Sequence, residues 1–374
     1  MLLKDQASSI ISTYTADVSG VCSALFEMGG MCVIHDPSGC NSTYNTHDEP
    51  RWYDFDSLIF ISGLTQMEAI MGDDNKLIND TISAAAELKP KFIALAGSPI
   101  PMVMGTDFNA IAKIISDRTG IPCFGFNTNG MHSYISGASL AFSAIAKNFT
   151  SDKTEKMKNS VNVLGTTPLD FSVNSYVKNL YKYLNENGYN VVSQFGMGAN
   201  LSEINNAGVA SVNLVVSSSG LMAAKSLYKK FGTPYAVCLP MKGNDITDVL
   251  NLAILKNKPI VDNGCLDINS DVTVIGDAVY CIALSKVFCK KFDKKVRVIC
   301  PPDTPLELIQ NGMEILNGEN MARTILNDSK TVIADPLYKP LVNDSASFIS
   351  VPHEAFSGRI FRSGIKDLLE YDII

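Results

Sequence analysis

The sequence predicts an α/β protein of three Rossmann-like domains, each a parallel sheet flanked by helices. Three observations predict it. First, short apolar runs recur from end to end: SLIFISG (57–63), KFIALAGS (91–98), CFGFNTN (123–129), VNVLGTT (161–167), NVVSQFGMG (190–198), SVNLVVSSS (211–219), PYAVCLP (234–240), VTVIGDA (272–278), VRVICPP (296–302), TVIADP (331–336) and SFISVP (347–352). Second, each run stops at Gly, Ser, Asn or Pro, and most are followed by a segment with helical spacing. Third, the series restarts twice, after the polar stretches 147–160 and 256–271. Uninterrupted apolar strands alternating with helices require parallel sheets covered on both faces.

The elements follow in order. Met31–Ile34 is an apolar run read as a strand, with Cys32 inside it as a small buried side chain. The stretch 170–188 repeats Val173, Val177, Leu180, Tyr181 and Leu184 at three- and four-residue steps, and Asn187-Gly188 closes that helix. The restarts give units at 1–155, 156–265 and 266–352, with 353–374 expected to return to the first. Ligands in such sheets bind at the carboxyl ends of strands, where the small polar residues lie. No G-x-G-x-x-G follows the first strand of any unit, so a standard dinucleotide site is not expected; Gly196-Met197-Gly198 reads as a turn.

Composition narrows the function. The chain has 374 residues, 46% apolar and 18% charged, with a net charge of −7 and no strongly basic run. That argues against nucleic acid. No stretch reaches the roughly 18 apolar residues of a membrane helix. The N-terminus lacks the pattern of a signal peptide, so a cytoplasmic setting is expected. Nine scattered cysteines in that setting read as buried thiols, with a minority available for metal and disulfides not expected.

The chemistry concentrates in MCVIHDPSGC (31–40). Cys40 follows a Pro-Ser-Gly turn that can present its side chain, and Cys22 follows Ser19-Gly20. Their spacing fits no zinc rule. Iron–sulfur clusters are less strict, because thiolates can come from distant loops or two subunits.

HDPSGC, followed by Glu68, Gly72 and Leu77 in TQMEAIMGDDNKL, resembles the start of the nitrogenase component 1 family. The likeness continues in order through VNVLGTTPLDF, IGDAVYCIALSKVFCKKF, ADPLYKPL and VPHEAFSGR. The resemblance implies three α/β domains per subunit, pairing as homodimer or heterodimer, and an iron–sulfur cluster between subunits. It also implies electrons from an ATP-dependent iron protein. Carried over by position, Cys40 is the turn cysteine and Cys22 the upstream one.

The sequence departs from the family at three places. The third cluster cysteine is missing, and Gly97 and Ser98 stand in its neighbourhood. Two cysteines from each of two subunits would complete a shared [4Fe–4S] cluster; a heterodimer with a related subunit is the alternative. His-Asp-Pro replaces the usual His-Gly-Pro, so Asp36 either adds charge beside the thiolates or caps the turn. The cysteine that would hold a catalytic metal cofactor in the second domain is replaced around Ser217 and Ser218, a loop suited to a polar ligand or to capping a helix. His353 with Arg359, and His132 after the fourth strand, are further candidates for binding the acceptor. His47 and Trp52 read as a contact surface.

The functional expectation is a nitrogenase-like reductase component passing electrons to an unidentified small molecule. The alternatives are a scaffold carrying a cluster or metallocofactor in assembly, and a cluster-free protein binding a small ligand between its domains.

Overall fold

The structure, a computed structural model, describes residues 8–39, 41, 49–152 and 155–374. Its frame is three wholly parallel sheets. The first orders β2 (Leu58–Ile61), β1 (Met31–His35), β3 (Ile93–Gly97) and β4 (Cys123–Phe126). The second orders β6 (Asn190–Gly196), β5 (Ser160–Thr166), β7 (Val212–Val215), β8 (Tyr235–Val237) and β9 (Ile260–Val261). The third orders β12 (Met313–Ile315), β11 (Arg297–Cys300), β10 (Val272–Ile275), β13 (Thr331–Ala334) and β14 (Ser347–Ser350).

Strands β1, β3, β5, β7 and β10 are buried at every residue, which is why they read as continuous apolar runs. The two strands the pattern does not disclose, β9 and β12, are edge strands of two and three residues. Each sheet winds outward in both directions from its first strand. The winding therefore reverses between β1 and β3, between β5 and β7, and between β10 and β13. Such reversals open a crevice at the strands' carboxyl ends.

The expected helix over 170–188 begins later, at Tyr176, and runs to Glu186. Before it, Thr167 caps a short helix Pro168–Phe171, and Ser172 at φ 58° breaks the chain direction. Leu180 and Leu184 are fully buried, whereas Val173 lies in the break and is exposed.

Helix Asp17–Leu25 crosses helix Tyr134–Asn148 in close contact. A Cβ at Gly20 would sit 2.3 Å from the Tyr134 carbonyl oxygen, and one at Gly137 would sit 1.9 Å from the Asp17 carbonyl oxygen. The Asp17 carboxylate accepts the amides of Val18, Asn129 and Gly130, joining the crossing to the loop after β4.

Both chain ends strap the units together. The Glu319 carboxylate accepts the amides of Ser9, Ile10 and Ile11, while Thr15 donates to the Ala355 carbonyl. The C-terminal segment meets this strap through Tyr14 and Phe356. Beyond that, its polar contacts reach the second unit, where Ser172 donates to Glu354, Ser175 and Asn179 donate to Asp367 and the Lys242 amide donates to the Leu368 carbonyl. They also reach the third, where the His353 amide and the Ser357 hydroxyl donate to Asp335. One expectation about the cysteines is corrected. Cys265 and Cys289 are joined as a disulfide, Cα to Cα 6.2 Å, because the chain after β9 runs along helix Ala278–Phe292. No described helix is long and apolar enough to cross a membrane.

Candidate functional site

The turn after β1 is built by its neighbours. His35 is buried, with Nδ1 2.8 Å from Ser62 Oγ, and burial pushes its pKa down to about 4, so the ring is neutral at pH 7. The Asp36 carboxylate accepts the Ser38 amide at 3.0 Å, with Ser38 at φ 81°. In this arrangement Asp36 caps the turn. Leu64 donates to the Asp36 carbonyl and Ser98 to the His35 carbonyl, so the loops after β2 and β3 hold the turn from both sides. Two buried polar atoms beside it, His35 Nε2 and Ser98 Oγ, have no hydrogen-bond partner among the described residues. Cys40 and His47 lie outside the described residues.

Cys22 is the upstream cysteine that the resemblance carries over. It is fully buried on helix Asp17–Leu25, against Cys32 of β1. The Cys32 thiol and burial hold its pKa well above the ordinary thiol range. Helical spacing, not turn chemistry, governs this cysteine. Trp52 packs on Phe26, beside the buried Arg51 that binds Glu49 and Glu27. Among the described residues no three His, Cys, Asp or Glu side chains group to hold a metal ion. The orphaned imidazole nitrogen and hydroxyl at the turn are too few and too hard for an iron–sulfur cluster, so the described residues of one chain do not fit it alone.

The surroundings of the turn are apolar and exposed. Helix Gln66–Met71 buries none of its residues, and Met67, Ile70 and Met71 are 68–71% exposed. Helix Pro99–Met104 adds Ile100, Met102 and Val103. These helices start directly after the loops that clasp the turn.

A second feature lies where the reversals of the second and third sheets face one another. Asp170 follows β5, Ser217 follows β7, Asp277 follows β10 and His353 follows β14; together they line a cavity of about 60 Å³. Tyr134 donates to Asp170 Oδ1 at 2.5 Å and Thr167 to Oδ2 at 2.8 Å. Burial, then the neighbouring Asp277, push the Asp170 pKa up to about 7. Burial raises Asp277 as well and lowers His353 to about 4. His353 Nδ1 and the Tyr280 hydroxyl, both on this cavity, have no hydrogen-bond partner among the described residues.

Ser217 donates to the Gly165 carbonyl and pairs with Ser219. Ser218 is fully buried, and its amide donates to Asp277. Neither caps helix Leu221–Phe231, whose N-cap is Gly220 without a side-chain bond. The donor set is carboxylate, hydroxyl and imidazole, without a thiol, and it does not fit a thiolate-held metal cofactor.

The candidates Ser217, His353 and His132 do not share one space: the first two line the small cavity, and His132 lies outside it. His132 and Arg359 line a larger cavity of about 700 Å³, between the strap 12–16, the loop 130–133, Pro302 and the segment 354–359. Leu169 and Glu354 on its wall are the chain neighbours of Asp170 and His353, so the two spaces lie back to back. His132 Nδ1 is 3.1 Å from Asp303 Oδ1, and the Ser133 amide donates to Oδ2 of the same carboxylate. Sequence reasoning missed Asp170, Asp277 and Tyr280. Their signal is an acid placed just past a strand-end glycine or threonine, in GTTPLD and IGDAVY.

Three doubly wound parallel sheets, a clasped turn at the first reversal and facing reversals in the other two define the class: a three-unit α/β protein with a strand-end cleft. The chain belongs to the nitrogenase component 1 type oxidoreductase family, whose profile matches residues 18–254. It is similar to the nitrogenase iron-molybdenum cofactor biosynthesis protein NifE of Clostridium pasteurianum, 28% identical over 207 residues, covering 54% of this chain and 44% of that protein. It is also similar to the nitrogenase molybdenum-iron protein beta chain of Bradyrhizobium diazoefficiens, 24% identical over 144 residues, covering 35% and 28%. The chain thus spans less than half the length of these curated relatives. Among solved structures, nitrogenase Cp1 at pH 6.5 superposes with a TM-score of 0.66 over 94% of this chain and 86% of that one, at 15% identity. At that identity the likeness concerns the fold alone.

Proposed function

We propose that the chain is a cluster-handling subunit of component 1 type that pairs with a second such subunit and serves assembly of a metallocofactor. The observation that carries the reading is the clasped turn 35–39 amid the exposed apolar helices Gln66–Met71 and Pro99–Met104. A turn held rigid in an apolar face suits a ligand shared across a subunit boundary. With Cys22 in the core, this chain would contribute Cys40 and the partner the remaining thiolates of a [4Fe–4S] cluster. The thiol-free junction at Ser217 and the likeness to a cofactor biosynthesis protein favour the assembly role over a resident catalytic cofactor.

A second reading, a reductase component fed by an ATP-dependent iron protein, is favoured by the 700 Å³ cavity, which has room for a small-molecule acceptor. Anaerobic purification with iron and sulfide analysis tests the first step. Iron that is lost on Cys40→Ala supports cluster handling; no iron under any loading condition refutes it. ATP-dependent reduction of that iron by an iron protein would move the assignment to the reductase.

A further inference from the structure

We infer that the 700 Å³ cavity between the N-terminal strap and the C-terminal segment is a binding site for a small oxyanion, a carboxylate or phosphate compound. Its size lies within the usual range for small-ligand sites. Five separate stretches of chain, at 12–19, 130–133, Leu169, Pro302 and 354–359, build its wall, so its shape is fixed by the packing of the units.

The charges on that wall decide the ligand. Glu354 is the one acidic lining residue, and it is already neutralised. Arg362 donates Nε to both Glu354 oxygens at 3.0 Å and Nη2 to Oε1 at 2.6 Å, and Ser172 donates to Oε2. Arg359, five residues along, is exposed and makes no ion pair or hydrogen bond among the described residues. The wall therefore carries one uncommitted guanidinium and no uncommitted carboxylate. His132, held by Asp303 through Nδ1, keeps its second ring nitrogen available. The hydroxyls of Thr13 and Ser19, also on the wall, are uncommitted among the described residues. A guanidinium fork beside hydroxyl donors is the arrangement that binds a planar carboxylate or a phosphate through paired charged hydrogen bonds. No thiol lines the space, so a thiolate-held metal group is not its occupant.

This inference does not depend on the cluster reading, because it concerns different residues and its test reads no iron. Titration calorimetry on the full chain as purified, at low ionic strength, would use succinate in one arm and inorganic phosphate in the other. One-to-one binding in either arm, weakened at least about tenfold by Arg359→Gln, is the expected result. Binding of succinate alone assigns a carboxylate ligand, binding of phosphate alone a phosphate compound, and binding of both a general oxyanion site. Arg359 is exposed, so the variant should keep the wild-type melting temperature, and Arg359→Lys should retain part of the affinity. Absence of binding in both arms, or equal binding by wild type and Arg359→Gln, would overturn the inference.

Discussion

His353 Nε2 stands 3.9 Å from Asp170 Oδ1, and burial acts on the two in opposite senses, lowering the pKa of the imidazole and raising that of the carboxyl. The imidazole titrates at about 4 and the carboxyl at about 7. Between those values both are neutral; above them only the aspartate is charged, and below them only the histidine.

The pair makes a pH prediction with two opposing signs. Asp170 is raised from 3.8, so its contribution to stability is present below that value and lost as pH rises through about 7. His353 is lowered from 6.5, so its contribution is present above that value and lost as pH falls through about 4. From about 4 to 6.5 the two slopes oppose. Relative to wild type, His353→Gln should therefore lose stability as pH rises across this window, and Asp170→Asn should gain it. The slope is at most ~1.4 kcal/mol per pH unit. Chemical denaturation at several pH values measures it, and parallel curves for all three proteins would refute the assignment.

The crossing of helices Asp17–Leu25 and Tyr134–Asn148 has no space for a methyl group. Gly137→Ala places a Cβ 1.9 Å from a backbone oxygen, which the helices can relieve only by moving apart. The expected cost is roughly 2 kcal/mol or more, read as a fall in urea midpoint. Gly188→Ala makes a useful comparison, since open space surrounds it and only its φ of 81° opposes the change. A smaller loss at Gly137 than at Gly188 would contradict the close crossing.

The apolar face around the turn yields a pairing test. Met67→Lys with Met71→Lys changes two side chains that are 68% and 71% exposed, so the melting temperature of the isolated chain should hardly move. Sedimentation should instead record weaker self-association, or weaker binding to a related subunit. Unchanged association in both measurements would remove this face from the interface.

Glu319 is held well below the usual carboxylate range, at about 2, by the amides of Ile10, Ile11 and Ser9. Glu319→Ala should free that strap. Hydrogen exchange at Ser9, Ile10 and Ile11 should rise at least about tenfold while exchange in β10 and β13 stays slow. Protection unchanged in the variant would mean that other contacts hold the segment.

The fold was legible because parallel strands buried on both faces are predominantly apolar, as in β3, and in β7 and β10 where only Asn213 and Thr273 interrupt the run. The site was legible only in part. His353 and Ser217 stand at strand ends, which a linear pattern reveals, and they do meet at one cavity. His132 and Arg359 stand at strand or segment ends too, but which ends face each other depends on how three sheets pack, and no local pattern carries that. Cys22 was carried over by resemblance alone, and its packing in helix Asp17–Leu25 against Cys32 is a tertiary outcome that no local pattern carries. Cys265 and Cys289 are brought together across the unit boundary, again by packing.

The strap at the beginning of the chain bears on how the molecule reaches its final state. Ser9 and Glu319 are 310 residues apart, so the strap cannot meet its acceptor until that length of chain has been made. At ~5–20 residues per second it waits on the order of half a minute for its acceptor. The sheets can each form from contiguous sequence during synthesis, but the 700 Å³ cavity, walled by residues 12–16 and 354–359, is closed only once both stretches have been made and have met. A ligand taken up there reports that the units have docked.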